Sequence, residues 1–151
     1  MKVEQRLAEL GIELPESPAP VANYIPCKQC GNQVIVSGQG PIINGKQLFT
    51  GKVGAAVSQD EGYQAARACG INLISQLKRF LGDLDKVKQV LHVKGYVASA
   101  DDFTNQPAVI NGASDLMVEV FGEAGRHTRC ALGLNVLPTD IPVEVELIVE
   151  V

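Results

Sequence analysis

The chain has 151 residues, 46% of them hydrophobic and 20% charged, with 13 Lys and Arg against 17 Asp and Glu. That length and balance fit one globular domain with its own core, and exclude both a disordered segment and a scaffold that needs disulfides. A net charge of −4 and a pI near 5.1, with the cations scattered, argue against a general nucleic-acid binder, which needs clustered Lys and Arg.

The N-terminus, MKVEQRLAELGIELPE, is charged and carries no apolar signal region, and no apolar run reaches the roughly 18 residues of a membrane helix. The expectation is a cytoplasmic protein with no membrane partner, whose four cysteines (Cys27, Cys30, Cys69, Cys130) are reduced. Val3, Leu7 and Leu10 sit at helical spacing, and Pro15, Pro18 and Pro20 then forbid a helix. Residues 1–20 are therefore expected to form an N-terminal arm, packed on the domain of residues 21–151 or on a neighbouring subunit.

Cys27-Lys28-Gln29-Cys30 has the spacing of half a zinc site. With no second C-x-x-C or H-x-x-x-H in the chain, it reads as a turn bearing two free thiols rather than a zinc site, with a redox pair as a third reading. Gln33–Ser37 is a predicted strand, and Asn44-Gly45 a hairpin turn with Leu48-Phe49 opening the return strand. Ser58 and Glu61 form a capping box. Behind it Tyr63, Ala66, Gly70, Leu73, Ile74, Leu77 and Leu81 recur at helical spacing as far as Gly82.

Val87–Ala98 is a predicted strand, and Pro107 opens a second helix that ends at Gly122 and Gly125. Two strands close the chain, Arg129–Leu137 and Val143–Val151. The last alternates strictly, with Val143, Val145, Leu147, Val149 and Val151 opposed to Glu144, Glu146, Ile148 and Glu150. Two amphipathic helices on one side of a mixed sheet make a two-layer α+β domain, with a second sheet face left for other subunits to cover.

Few residues carry chemistry in this pattern. Glu144 is the first acid of a strand whose other parity is purely apolar, and Arg129 begins the strand before it. With Pro138 and Pro142 bending the connection, the two strands can run antiparallel and bring Arg129 and Glu144 together. They then form either a carboxylate clamp beside a water-activating base or a plain cross-strand ion pair. His92 reads as a satisfied or solvated side chain. Nothing in the sequence pairs His127 with a nucleophile, and phosphate-binding glycine motifs are absent.

The segment TRCALGLNVLPTDIPVEVELIVEV (128–151) resembles the C-terminal signature of the reactive intermediate deaminase (Rid, or YjgF) family. There an Arg follows a small residue and a hydrophobic-Glu pair comes some fifteen residues later. Asn23-Tyr24, VIVSGQGP (34–41) and Asn111 agree with the family in order, so the resemblance covers roughly residues 18–151. It implies a chorismate-mutase-like α+β domain with two helices on one face of a mixed sheet. It also implies a homotrimer with inward-packed sheets and three clefts between subunits.

The implied activity is hydrolysis of 2-imino acids or their enamines, such as 2-aminoacrylate, to 2-keto acids and ammonia, without metal or coenzyme. A non-catalytic small-carboxylate sensor is the second implication and an endoribonuclease the third, the last opposed by the acidic charge. Carried over by position, Arg129 holds the substrate carboxylate and Glu144 positions the attacking water. Tyr24 and Asn111 line the cleft, with main-chain groups of Ser37, Gly38 and Ala131. His127, Asn135 and the CKQC segment depart from the family pattern and imply a side branch.

Overall fold

The computed structural model describes residues 2–17, 20 and 22–151; Pro18 lies outside them. Its five-stranded sheet is assembled around the most regularly alternating segment of the sequence. Strand β7 (Val143–Glu150) sits at the centre, with Val143, Val145, Leu147 and Val149 buried and the intervening residues half-exposed. β2 (Gln33–Gln39) pairs antiparallel on one side of it and β5 (Gln89–Ala98) antiparallel on the other. β1 (Cys27–Cys30) and β6 (Thr128–Leu134) form the margins, giving the order β1-β2-β7-β5-β6. Only β5 and β6 run parallel.

Two helices cover one face. α2 (Gln59–Leu81) starts at the expected capping box, Ser58 Oγ accepting from the Glu61 amide at 3.1 Å and Glu61 accepting from the Ser58 amide at 3.0 Å. It stops at Gly82, whose positive φ of 77° costs a residue without Cβ little. α3 (Gln106–Phe121) opens with Pro107 in its first turn and passes into a short 3₁₀ turn over Gly122–Gly125. The two helices meet through glycine: a Cβ on Gly112 would lie 2.0 Å from the Tyr63 carbonyl oxygen. A mixed sheet under two helices is the expected two-layer α+β, chorismate-mutase-like arrangement.

The small hairpin differs from expectation. Asn44-Gly45 does turn the chain, but it joins β3 (Ile42–Ile43) to β4 (Lys46–Gln47), and Leu48-Phe49 follow the return strand rather than opening it. α1 (Lys2–Glu9) packs on the same core through the buried Leu7, with Val3, Leu10, Ile12 and Leu14 against it. The carboxylate of Asp85 accepts from the amides of Lys2 and Val3, capping α1 from across the fold. Those two bonds hold the Asp85 carboxyl below its usual pKa. Among the described residues no helix is long and apolar enough to cross a membrane.

Among the described residues no helix covers the other sheet face. Ile35 and Leu132 stand there 47% and 48% exposed, beside Tyr96, Glu144 and Glu146.

Candidate active site

The strand order separates the two residues the sequence brings together. β6 does not pair with β7; it lies parallel to β5, which stands between them. Two strand spacings amount to about 10 Å. Arg129 faces the helices, as its register partner Val93 does, whereas Glu144 pairs with Tyr96 on the open face. Within one chain they are neither a cross-strand ion pair nor one catalytic pair, and the antiparallel closing hairpin is corrected accordingly. The candidate residues instead form two groups on opposite faces.

The first group surrounds Arg129 at the β6 margin. Asn111 and Ser114, three apart on α3, share the helix face turned to that margin. Arg129 Nη1 donates to Asn111 Oδ1 at 2.7 Å and to Ser114 Oγ at 3.2 Å. No partner for Nε or Nη2 occurs among the described residues. These two nitrogens form one edge of the guanidinium, the fork that fits a carboxylate side-on. Ala131 follows on the same face, half-buried against the core.

His127 completes the group. Its Nε2 lies 2.9 Å from Ser114 Oγ and its Nδ1 2.6 Å from the Gly125 carbonyl oxygen. Burial pulls its pKa below the ordinary imidazole value, and the positive charge of Arg129 pushes the same way. The sequence reading paired His127 with no nucleophile and passed over Ser114. The available signal was spacing: Ser114 follows the candidate Asn111 by three residues on a helix.

The second group occupies the open face. Tyr24, half-exposed, lines a groove with Ile35 and Ser37. Ser37 is anchored to the lead-in segment, its hydroxyl donating to the Ile25 carbonyl at 3.0 Å and its amide to that of Pro26 at 2.8 Å. Gly38 backs directly on Glu144: a Cβ there would lie 3.1 Å from the carboxyl carbon. Asn72, buried in α2, donates to the carbonyls of Gly40 and Ile42 and fixes the chain beyond that contact.

Burial raises the pKa of Glu144, and the neighbouring Glu146 adds to it. Glu146 is itself engaged by the hydroxyl of Tyr96, which burial and that hydrogen bond push up to about 12. A carboxylate with raised proton affinity, on a rigid central strand, is a competent base for water. His92 is satisfied by Thr128, at 2.8 Å.

The CKQC segment is a strand, not a turn. Cys27 is buried and Cys30 exposed, opposite Val36 and Gln33. Three strand residues span about 10 Å, beyond the roughly 7 Å between Cα atoms that a disulfide tolerates. The two thiols can share neither a disulfide nor a metal while β1 stays paired. Burial pushes the Cys27 thiol up to about 11. Iodoacetamide at pH 8 should therefore alkylate Cys30 and spare Cys27 over the same interval. Equal rates, read by peptide mass spectrometry, would contradict this placement.

Comparison with known proteins bears on the family and the fold. The family model described as "YjgF/chorismate_mutase-like, putative endoribonuclease" matches residues 4–151. Protein TCP17 of Trypanosoma cruzi is 46% identical over 150 residues, 99% of this chain and 94% of that protein. The crystal structure of Atu1372 from Agrobacterium tumefaciens, of unknown function, superimposes with a TM-score of 0.92 at 45% identity, covering 99% of this chain and 92% of that one. A "putative endoribonuclease" from Shewanella oneidensis superimposes at 0.96 with 39% identity over the whole of both chains.

Proposed function

Since this chain belongs to the YjgF/chorismate mutase-like family, which includes the reactive intermediate deaminases, we propose that it hydrolyses 2-imino acids and their enamine tautomers to 2-keto acids and ammonia. The observation that carries the reading is the state of Arg129. One nitrogen is tied down by Asn111 and Ser114, and among the described residues the Nε–Nη2 edge has no protein partner. No carboxylate of the described residues occupies that edge, so a ligand carboxylate is its natural partner.

The separation of the two groups gives assembly a chemical purpose. In a closed homotrimer with open sheet faces inward, the group around Glu144 in one copy would meet the group around Arg129 in the next. The cleft between them would take a small 2-imino acid. Arg129 holds the carboxylate. Glu144 accepts a proton from water as the oxygen adds to the imine carbon and passes it to the nitrogen. The carbinolamine hydroxyl proton then follows the same route to the nitrogen, the C–N bond breaks, and ammonia leaves as the keto group forms. Tyr24, Asn111 and main-chain groups of Ser37, Gly38 and Ala131 line the cleft. No step calls for a metal or coenzyme, and nothing in the reaction involves nucleic acid.

A second reading, a trimeric sensor that binds small carboxylates without turnover, is favoured by one observation. Glu144 lies outside hydrogen-bonding reach of Arg129 within the chain, and binding at Arg129 alone needs no base. Ammonia release with an amino-acid oxidase generating imine in place separates the two. The expected result is release accelerated by the protein, with light scattering giving the mass of three 16.1 kDa chains. No acceleration despite keto-acid binding would give the sensor reading. A single-chain mass at micromolar concentration would remove the shared cleft altogether.

A further inference from the structure

Ser114, His127 and the Gly125 carbonyl form a directed chain behind Arg129. A carbonyl oxygen only accepts, so the 2.6 Å contact places the imidazole proton on Nδ1. In the neutral ring Nε2 is then a lone pair, and the Ser114 hydroxyl must donate to it across 2.9 Å. With its proton committed, Ser114 Oγ turns a lone pair toward Arg129 Nη1 at 3.2 Å. Asn111 Oδ1 takes the other Nη1 proton at 2.7 Å.

The far end of this chain is also fixed. Gly125 is pressed against the end of α3, where a Cβ would come within 2.1 Å of the Met117 carbonyl oxygen. Each hydrogen-bond direction follows from a group that cannot turn round.

We propose that Ser114 and His127 are positioning residues of the Arg129 clamp, fixing the guanidinium plane so that its Nε–Nη2 edge alone meets the ligand carboxylate. The proposal rests on the reading that Arg129 binds a carboxylate. It adds that the orientation of Arg129 is set by a neutral histidine acting through a serine hydroxyl. A clamp held this way is ordered before the ligand arrives, and prior ordering contributes to affinity.

Calorimetric titration with pyruvate, together with imine-hydrolysis kinetics, tests it at pH 7.5. Ser114→Ala and His127→Phe should each weaken pyruvate binding about five- to tenfold, the net effect of one ordinary hydrogen bond. They should raise KM similarly and leave kcat within about twofold. His127→Gln places an amide oxygen near the position of Nε2 and should restore binding to within about twofold of wild type. The double variant Ser114→Ala/His127→Phe should be no worse than either single, because the two act as one unit. A residue serving stability alone would lower the melting temperature without this KM shift and without rescue by Gln.

Nitrogen NMR of the guanidinium gives a ligand-independent measure. Arg129 should show separate Nη1 and Nη2 resonances in wild type, and these should merge in Ser114→Ala. Wild-type pyruvate affinity in both single variants, alongside its loss in Arg129→Ala, would overturn the positioning proposal and leave the clamp standing. Failure of wild type to bind pyruvate, with separate Nη resonances intact, would overturn the carboxylate clamp while leaving the ordered guanidinium. Merged resonances in wild type would overturn the positioning itself.

Discussion

Replacing Arg129 with Ala is expected to weaken pyruvate binding by about thirtyfold to several thousandfold and to depress imine hydrolysis by as much. Truncating a desolvated, hydrogen-bonded charge commonly costs about 2–5 kcal/mol, and each 1.4 kcal/mol is about a decade. Arg129→Lys should recover little, because a single ammonium cannot offer the two parallel N–H groups of the Nε–Nη2 edge. Glu144→Gln should behave oppositely, keeping pyruvate affinity within a few-fold while losing turnover, since the amide fills the same space against Gly38 but takes no proton. Calorimetry and ammonia release measure the two effects separately. Neither substitution breaks an ion pair within the chain, because the residues lie on opposite faces of the sheet. The fold should therefore survive both, as a thermal melt would verify. If both variants hydrolyse imines at the wild-type rate, the two residues have been given the wrong roles.

Gly112→Ala should produce the largest loss of stability from a single methyl group. The added carbon would sit 2.0 Å from the Tyr63 carbonyl oxygen and 3.0 Å from the Arg67 amide nitrogen. Both atoms belong to the backbone of α2, so no rotamer change relieves the clash and the two helices must move apart. Overpacking of this kind costs about 1–3 kcal/mol and occasionally more, and here the upper end applies. At about 2–4 °C per kcal/mol for a chain of this size, calorimetry should record a fall of roughly 10 °C. Gly45→Ala is the contrasting case. Its φ of 79° is strained for any L-residue, but nothing lies within 4 Å, so its cost should stay near about 1 kcal/mol. A smaller fall for Gly112→Ala than for Gly45→Ala would mean the helices are not in backbone contact there.

The helices were legible in the sequence because their signals are local. Ser58 and Glu61 cap α2 through a three-residue relation, and Gly82 ends it by its own conformation. The alternation of β7 was equally plain, and it marks which residues face the helices. Its neighbours were not marked. A strand ending near Leu134 and another starting at Val143, joined through two prolines, look like consecutive partners. The connection over Pro138–Asp140, with Thr139 and Asp140 both at positive φ, instead carries the chain past β5 and sets β7 beside β2. Pairing across a sheet depends on contacts far apart in sequence, and no spacing rule records them. β1 was missed for a related reason. CKQC has no apolar alternation of its own, and it is a strand only because β2 offers it partners.

The candidate residues were therefore identified singly, while their grouping was not. Arg129 and Glu144 stand out by type and position, yet which face each occupies follows from the register of β5. Ser114 carries no motif at all. It matters because a helix turn, a glycine-bound loop and a strand end converge on its hydroxyl.

Among the described residues the parallel strand β6 has a ladder partner on one side only, so its outer row of amides and carbonyls faces outward. Thr128–Leu134 contains neither Pro nor Lys, and Leu132 and Leu134 project from it with Val136 just beyond. Natural sheets usually guard such a margin with charges, prolines or bulges, because an open strand templates the addition of another chain. Arg129 supplies the one charge in this segment, and α3 already engages it. In the proposed homotrimer, a chain kept from its neighbours would thus recruit other chains through this margin, and variants that fail to assemble should be lost to precipitation before they accumulate as monomers.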